Sequence, residues 1–488
     1  MSRSAHNLSH FWNLTGNMGN LIPLGFHEAL PGDLMKHSTS SLIRMSPLAR
    51  PVMHPVDIRI HKFFVPMRLL WAGWEDFITG GADGNDASTI PTMSFAPGAI
   101  TAGSLAHNLG LPITSTNTLS VSALPFRAAA LIYNQYYRDQ QIQSEIGFTD
   151  GDGVDSTTST TMQNICWEKD TFTTMRTDTQ LGDEVTVPLG TKANVKVDVA
   201  GGNASDTIKF LNNSDAERDL QLTSGNLFVN NTNDGNSNVA YADLSNASAA
   251  SINQLREAFS IQRYMENRLY YGSRYSDLLA ARGVAPRDAR LQRAQFLSAG
   301  SQTVQFSEVI QTGVDSTDGG VGNLKGHGVS ALRSNAYKRY FEEHGICMTF
   351  LSARPKTVYG QGISKFWLKD DKFDFHTPEL ERLGQQSVQK QRLYADASSP
   401  TDPIGYEDNY EDYRKIESKI AGEFATTMSD WHMARIFASE PALNSNFVKC
   451  DPTDRIFQDT TIDQMQIFSN HNIKAVRPIS QDASPAAL

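Results

Sequence analysis

Cysteine is scarce: the 488-residue chain has three, Cys166, Cys347 and Cys450, odd in number and far apart. That spacing excludes a disulfide framework and a paired-cysteine zinc site, and it suits folding in a reducing cytoplasm. Long apolar runs are also missing. No stretch reaches the ~20 residues that a membrane-spanning helix needs. The opening "MSRSAHNLSH" has no apolar core of a secretory signal. Positive charge is not in excess: the net charge is −10, and residues 151–250 hold 14 acidic against 6 basic side chains, so the remainder is nearly neutral. A strongly basic nucleic-acid binder is excluded globally, though a local basic face is not.

Catalytic signatures are wanting too. There is no G-x-x-x-x-G-K-[ST], no H-E-x-x-H and no G-x-S-x-G, and the G-x-G of "VYGQGISKF" has no third glycine. Asp150, Asp152 and Asp155 stand close together, but a calcium loop needs a closing bidentate Glu, and position 161 is Thr161. A solvated acidic loop is the expectation there. Neighbouring carboxylates such as Glu75–Asp76 and Asp370–Asp371 diverge into solvent and do not make a glycosidase pair. No cofactor or metal is expected.

What is present is globular: 40% hydrophobic, 9% aromatic and 20% charged residues. Composition divides the chain at 1–148, 149–250 and 251–488. In the first segment "IRIHKFFV" (58–65) reads as a half-buried strand ended by Pro66. "RLLWAGWEDFITGG" reads as a short helix stopped by Gly80–Gly81, and "LPFRAAALIYNQYYRDQQIQ" (124–143) as a longer one opening at Pro125. In the middle segment, Ser, Thr, Asn, Asp and Gly make up 53 of the 100 residues at 151–250. Short alternating runs such as "DTIKFLNN" and "GNLFVN" mark it as a small β-rich excursion with polar loops. The last segment opens with Ser251 and Gln254, a capping box for a helix striped by Ile252, Leu255 and Phe259. Short strands follow, among them "QTVQFSEVIQT" and "GICMTFLSARPKTVYG", and the tail "NIKAVRPISQDASPAAL" is expected to be extended. Many short strands with long excursions point to a mainly β sandwich or jelly roll interrupted by an insertion.

Several side chains are candidates for contact rather than chemistry. Trp71, Trp74 and Phe77, at i,i+3 spacings, fit either the chain's own core or an interface between subunits, where aromatics are enriched. The arginine-dense stretch 251–293 offers Arg287, Arg290 and Arg293 for subunit contacts and Arg256, Arg263 and Arg268 for phosphates. Asp152, Asp155, Asn230, Asn231, Asp234 and Asn236 mark the polar loops of the insertion.

Taken together, "NMGNLIPLGFHEALPGDLMK" (17–36), "SPLARPVMHPVDIRIHKFFVPMRLLWAGWEDFITGG" (46–81), "ALPFRAAALIYNQYYRDQQIQ" (123–143), "INQLREAFSIQRYMENRLYYGSRYSDLL" (252–279), "GVAPRDARLQRAQFLSAG" (283–300) and "DWHMARIFASEPALNSNFVKCDPTDRIF" (430–457) resemble, in order, the major capsid proteins of gokushovirus-like microviruses, small single-stranded DNA bacteriophages. The resemblance implies an eight-stranded antiparallel jelly roll and a T=1 icosahedral shell of self-assembled copies around single-stranded DNA. It further implies a virion put together in the host bacterial cytoplasm, with a small basic DNA-binding protein and a pilot protein, and an insertion that projects outward toward a host surface receptor. The rival from another class is a glycan-binding or glycan-cleaving β-sandwich protein, which would need a cleft and close, paired carboxylates. A third reading, a general nucleic-acid binder through 251–293, predicts steep salt dependence for the lone subunit.

Overall fold

The computed structural model describes residues 3–82, 85–182, 209–211, 217–223, 226–229, 252–271, 292–310, 312, 322–382 and 384–481. The chain divides into two compact units, Met1–Thr179 with Arg274–Leu488, and Gln180–Ser273.

Among the described residues, the two main sheets of the first unit take eleven strands, with two small two-stranded sheets beside them: β1 (Ser4–Asn7), β2 (His10–Gly16), β3 (Ile22–Ala29), β4 (Leu34–Met45), β5 (Val56–Pro66), β6 (Gln295–Thr303), β7 (Gln305–Ile310), β8 (Leu324–Arg333), β9 (Tyr337–Tyr340), β10 (Gly345–Pro355) and β11 (Met465–Arg477). The larger sheet runs β1–β11–β4–β8–β7, with β2 also on β11 and β9 also on β4; the smaller runs β6–β5–β10–β3. All of these pairings are antiparallel. Set aside the accessory β1, β7 and β9, and the eight remaining strands fall into the orders 1-8-3-6 and 2-7-4-5 by place in the chain. That interleaving is a jelly roll.

Periodicity explains which faces are buried. β4 and β11 alternate buried and exposed positions almost without a break, so their sheet has one packed and one open face. β10, "GICMTFLSARP", is buried at every position but one, so the middle of the smaller sheet is covered on both faces, while its edge strand β6 keeps Phe296 exposed. Between the sheets lie Ile22, Leu24, Ile43, Ile58, Ile60, Leu351 and Ile467. On the far face of the smaller sheet, Phe63, Val65, Met348 and Phe350 meet Trp71, Phe126, Ile132 and Trp167 from the long connection between β5 and β6.

That connection departs from its expected form in two places. Instead of one helix after Pro66 there are two, α1 (Met67–Leu70) and α2 (Trp74–Thr79), because Trp71 turns extended and drives its indole into the core. Gly80, at φ 86, ends α2 as the glycine pair foretold. α3 (Leu124–Ile132) passes into a π-turn at Tyr133–Tyr137 and stops at Arg138, short of residue 143. Asn134 exchanges two hydrogen bonds with the Ile146 backbone, 3.1 and 3.0 Å, and this ties the chain back on itself there. The tail is extended, but through Arg477 it is no loose arm: β11 lies in the middle of the larger sheet.

In the second unit, Lys209–Leu211, Glu217–Thr223 and Asn226–Val229 form an antiparallel three-stranded sheet, which includes the strands anticipated in "DTIKFLNN" and "GNLFVN". α4 (Ile252–Tyr271) is the expected helix; Ser251 of its capping box lies outside the described residues. The composition shift at 149 and the compact unit do not share a boundary, because residues 149–179 give Asp155, Ile165, Trp167, Phe172 and Met175 to the interior of the first unit.

Candidate functional site

The aromatic group after β5 is a wedge with a buried root and an exposed tip. Trp71 is fully buried, its ring 4.9 Å from that of Phe77 and 6.1 Å from that of Trp74, and its Nε1 donates to the Asp152 carboxylate. Trp74 is half-buried and meets the His344 ring at 5.4 Å. Phe77 and Ile78 are exposed on α2. Trp71 therefore belongs to the chain's own core, while Trp74 and Phe77 still offer surface to a neighbour.

Beneath the wedge sits a buried ion pair. Arg127 donates from Nε to Asp155 at 2.8 Å, from Nη1 to the Leu70 carbonyl at 2.9 Å and from Nη2 to the Gly151 carbonyl at 2.9 Å. Asp155 also accepts from the Thr157 and Thr158 amides and the Thr158 hydroxyl. Burial pushes this carboxyl up, but the hydrogen bonds from Thr158, Arg127 and Thr157 outweigh it and hold Asp155 below the usual carboxylate range. Asp155 is thus a structural anchor between α1, α3 and the 149–158 loop, not a solvated loop residue, and Asp152 is tethered to Trp71. The acidic run at 150–155 gave no sign of this, since a buried partner arginine sits far away in sequence.

Other surfaces are apolar or basic. On the long connection between β10 and β11, Phe366, Trp367, Phe373, Phe375, Tyr413 and Ile416 are exposed, with Lys369 held between the rings of Tyr413 and Phe375 at 4.1 and 5.4 Å. Nothing in the sequence reading singled these out, although "SKFWLKDDKFDF" alternates aromatics with charge. Arg293 is exposed; Arg287 and Arg290 lie outside the described residues, as do Asn230, Asn231, Asp234 and Asn236. Arg256 and Arg263 are exposed, seven residues apart on α4 and so on one face, while Arg268 is half-buried away from it.

Two clefts of the first unit share Glu168 and Lys169. The one lined by Glu168, Asp170, Lys356 and Tyr359 has its carboxylates engaged: Glu168 with Arg59 at 2.8 Å and with Lys356, Asp170 with the Tyr359 hydroxyl at 2.7 Å. Burial would raise Glu168, yet Lys356 and Arg59 hold it low, which is the wrong direction for a general acid. Among the described residues no cluster of three His, Cys, Asp or Glu could hold a metal, and no helix is long and apolar enough to cross a membrane.

The described residues form an interleaved sandwich with exposed aromatic and basic side chains. Residues 1–487 match the family model described as "Capsid protein (F protein)". The chain belongs to this family of microvirus capsid proteins. It is 32% identical to "Capsid protein VP1" of Bdellovibrio phage phiMH2K over 100% of this chain and 96% of that one. It is 28% identical to "Capsid protein VP1" of Chlamydia phage 1, covering 98% and 94% of the two chains, and 29% identical to "Capsid protein VP1" of Spiroplasma virus 4, covering 92% and 88%. The role of proteins of this capsid family is structural rather than enzymatic.

Proposed function

We propose that copies of this chain tile into a T=1 icosahedral shell around single-stranded DNA, and that the polar insertion forms outward protrusions used in host attachment. The small basic DNA-binding protein, the pilot protein and the host receptor are the further partners of that reading. The observation that carries it is the jelly roll itself, whose smaller sheet is covered on both faces at its middle strands while exposed aromatics stand on the connections leaving the sandwich. Surface of that kind is costly in a lone subunit and is removed from water when copies meet. Trp74, Phe77 and Arg293 are the interface residues, with Arg287 and Arg290, and Arg256, Arg263 and Arg268 are phosphate contacts. Residues 230–236 belong to the protrusion. Replacing residues 183–250 by a short Gly–Ser linker should leave shells intact in electron micrographs and abolish adsorption to host cells. Loss of the shells, or unimpaired adsorption, would refute the division of labour.

A further inference from the structure

The larger sheet leaves one face open, and its side chains are of a single charge sign. Alternation sends Met35, Ile43, Met465 and Ile467 inward and Lys36, Arg44, Gln466 and Phe468 outward. Six of its seven strands, β1, β2, β4, β8, β9 and β11, contain no Asp or Glu at all. Their outward positions carry Lys36, Arg44, Lys325, Arg333, Lys338 and Lys474. The register sets Lys474 opposite Lys36 and Lys36 opposite Lys338, so three ammonium groups stand in a row across three strands.

Adjacent strands are about 4.8 Å apart, and like charges directly opposite one another destabilise a sheet. Among the described residues none of these three lysines has a carboxylate within ion-pair distance. Acids stay at the margins: Glu308 on β7 pairs with Gly326, whose Cβ direction points inward at Leu48 and Arg50, and Asp463, before β11, accepts from Thr15. Between the bases the face is uncharged and rich in amides, with Asn7, Asn13, Asn470 and Asn472 exposed. Phe11 and Phe468 are both exposed, their rings 5.9 Å apart.

We propose that this open face is where the capsid protein meets the packaged single-stranded nucleic acid. The inference rests on the reading that the shell encloses such a strand. A polyanion supplies the missing counter-charge along the lysine row, amide side chains bond phosphates and bases alike, and an exposed phenylalanine pair gives any base a stacking surface. An anionic membrane would instead favour bases ringing a broad apolar patch, and here amides fill that space.

The test uses full-length protein dissociated from shells and a fluorescent oligo-dT strand, with affinity followed by anisotropy across a salt series. Changing Lys36→Gln, Lys338→Gln and Lys474→Gln together should flatten the slope of log K against log[salt] by about 2, since each phosphate contact to a single strand contributes roughly 0.7. Phe11→Ser with Phe468→Ser, which leaves the charges alone, should weaken binding about tenfold with the slope unchanged. An unchanged slope in the lysine variant overturns the proposal. So does a slope that falls only with Arg256→Gln and Arg263→Gln, or loss of binding to phosphatidylserine vesicles with oligo-dT binding intact. Micrographs of the same preparations separate the two levels: shells with an unaltered salt slope sink only the nucleic-acid face, whereas absence of shells from the wild-type protein sinks the capsid reading beneath it.

Discussion

Lowering the pH from 7 to 4.5 will destabilise the first unit through a group of histidines buried between its sheets. His37 Nε2 lies 3.1 Å from His471 Nδ1, and the Thr39 hydroxyl is 3.1 Å from each. His27 packs edge-on to His37, His10 stacks on His471, and Lys62 donates to Ser334 at 2.8 Å in the same layer. Burial first, then the positive charges of His471, Arg477, His10 and Lys62, pulls His27 down to about 3. Burial, then His10, pulls His471 down to about 4 against the opposing bond to the Leu24 carbonyl, and burial with Lys62 lowers His37 further still. An unfolded imidazole titrates near 6.5. Between that value and about 4 the unfolded chain binds protons that the folded one refuses, so stability is full above the window and falls as pH drops through it. For His27 and His471 the loss by pH 4.5 is on the order of 2–3 kcal/mol each, and because each lowers the other their shares overlap, leaving several kcal/mol for the pair. That is a large part of the 5–15 kcal/mol that holds a typical domain folded. His54 and His61, lowered by burial to about 4, act with the same sign; Glu407, raised by burial, opposes them. Lys62, lowered by burial to about 7, adds little slope below that pH. Carboxyls held low, such as Asp155 and Glu168, lose their share only further into acid. The assay is urea unfolding of full-length protein from pH 7 to 4.5, for wild type and His27→Gln. A stability flat to within about 1 kcal/mol, or an equal pH slope in both proteins, would refute the reasoning.

The remaining expectations concern packing and surface. Arg127→Met strands the Asp155 carboxylate in the interior and should cost about 3–5 kcal/mol, read as a fall in the thermal midpoint. Gly19→Ala places a Cβ 2.3 Å from the Cys450 carbonyl oxygen at a backbone φ of +84 and should cost roughly 1–3 kcal/mol or more in chemical unfolding. Trp71→Ala should cost about 3–5 kcal/mol of subunit stability, because the indole is wholly inside the core. Phe77→Ser, by contrast, should leave the subunit's unfolding within about 0.5 kcal/mol of wild type while reducing the yield of shells in sedimentation.

Much of the sandwich can be read from the sequence because its strands obey a period of two or are continuously apolar. "IRIHKFFV" and "GICMTFLSAR" declare themselves in that way, and they lie side by side as β5 and β10. β11 does not, since Ser469 and His471 occupy its inward positions and weaken the alternation that Met465, Ile467 and Ile473 set up. β1 and β2 are not clear either: β1 has four residues, and in β2 the adjacent Phe11 and Trp12 break the alternation. The wedge at Trp71 was visible as aromatic spacing, yet whether a tryptophan faces its own core or a neighbour depends on long-range packing. The same holds for Asp155, whose partner Arg127 is 28 residues away, and for the lysine row, which only the register of β4, β9 and β11 brings together.

Self-assembly is tested most directly by the mass and image of the purified full-length protein, by light scattering and electron microscopy on one sample. Closed particles tens of nanometres across, of several megadaltons, are the predicted result. A stable species near the 53.8 kDa of a single chain, at all protein concentrations and salts tried, would contradict it.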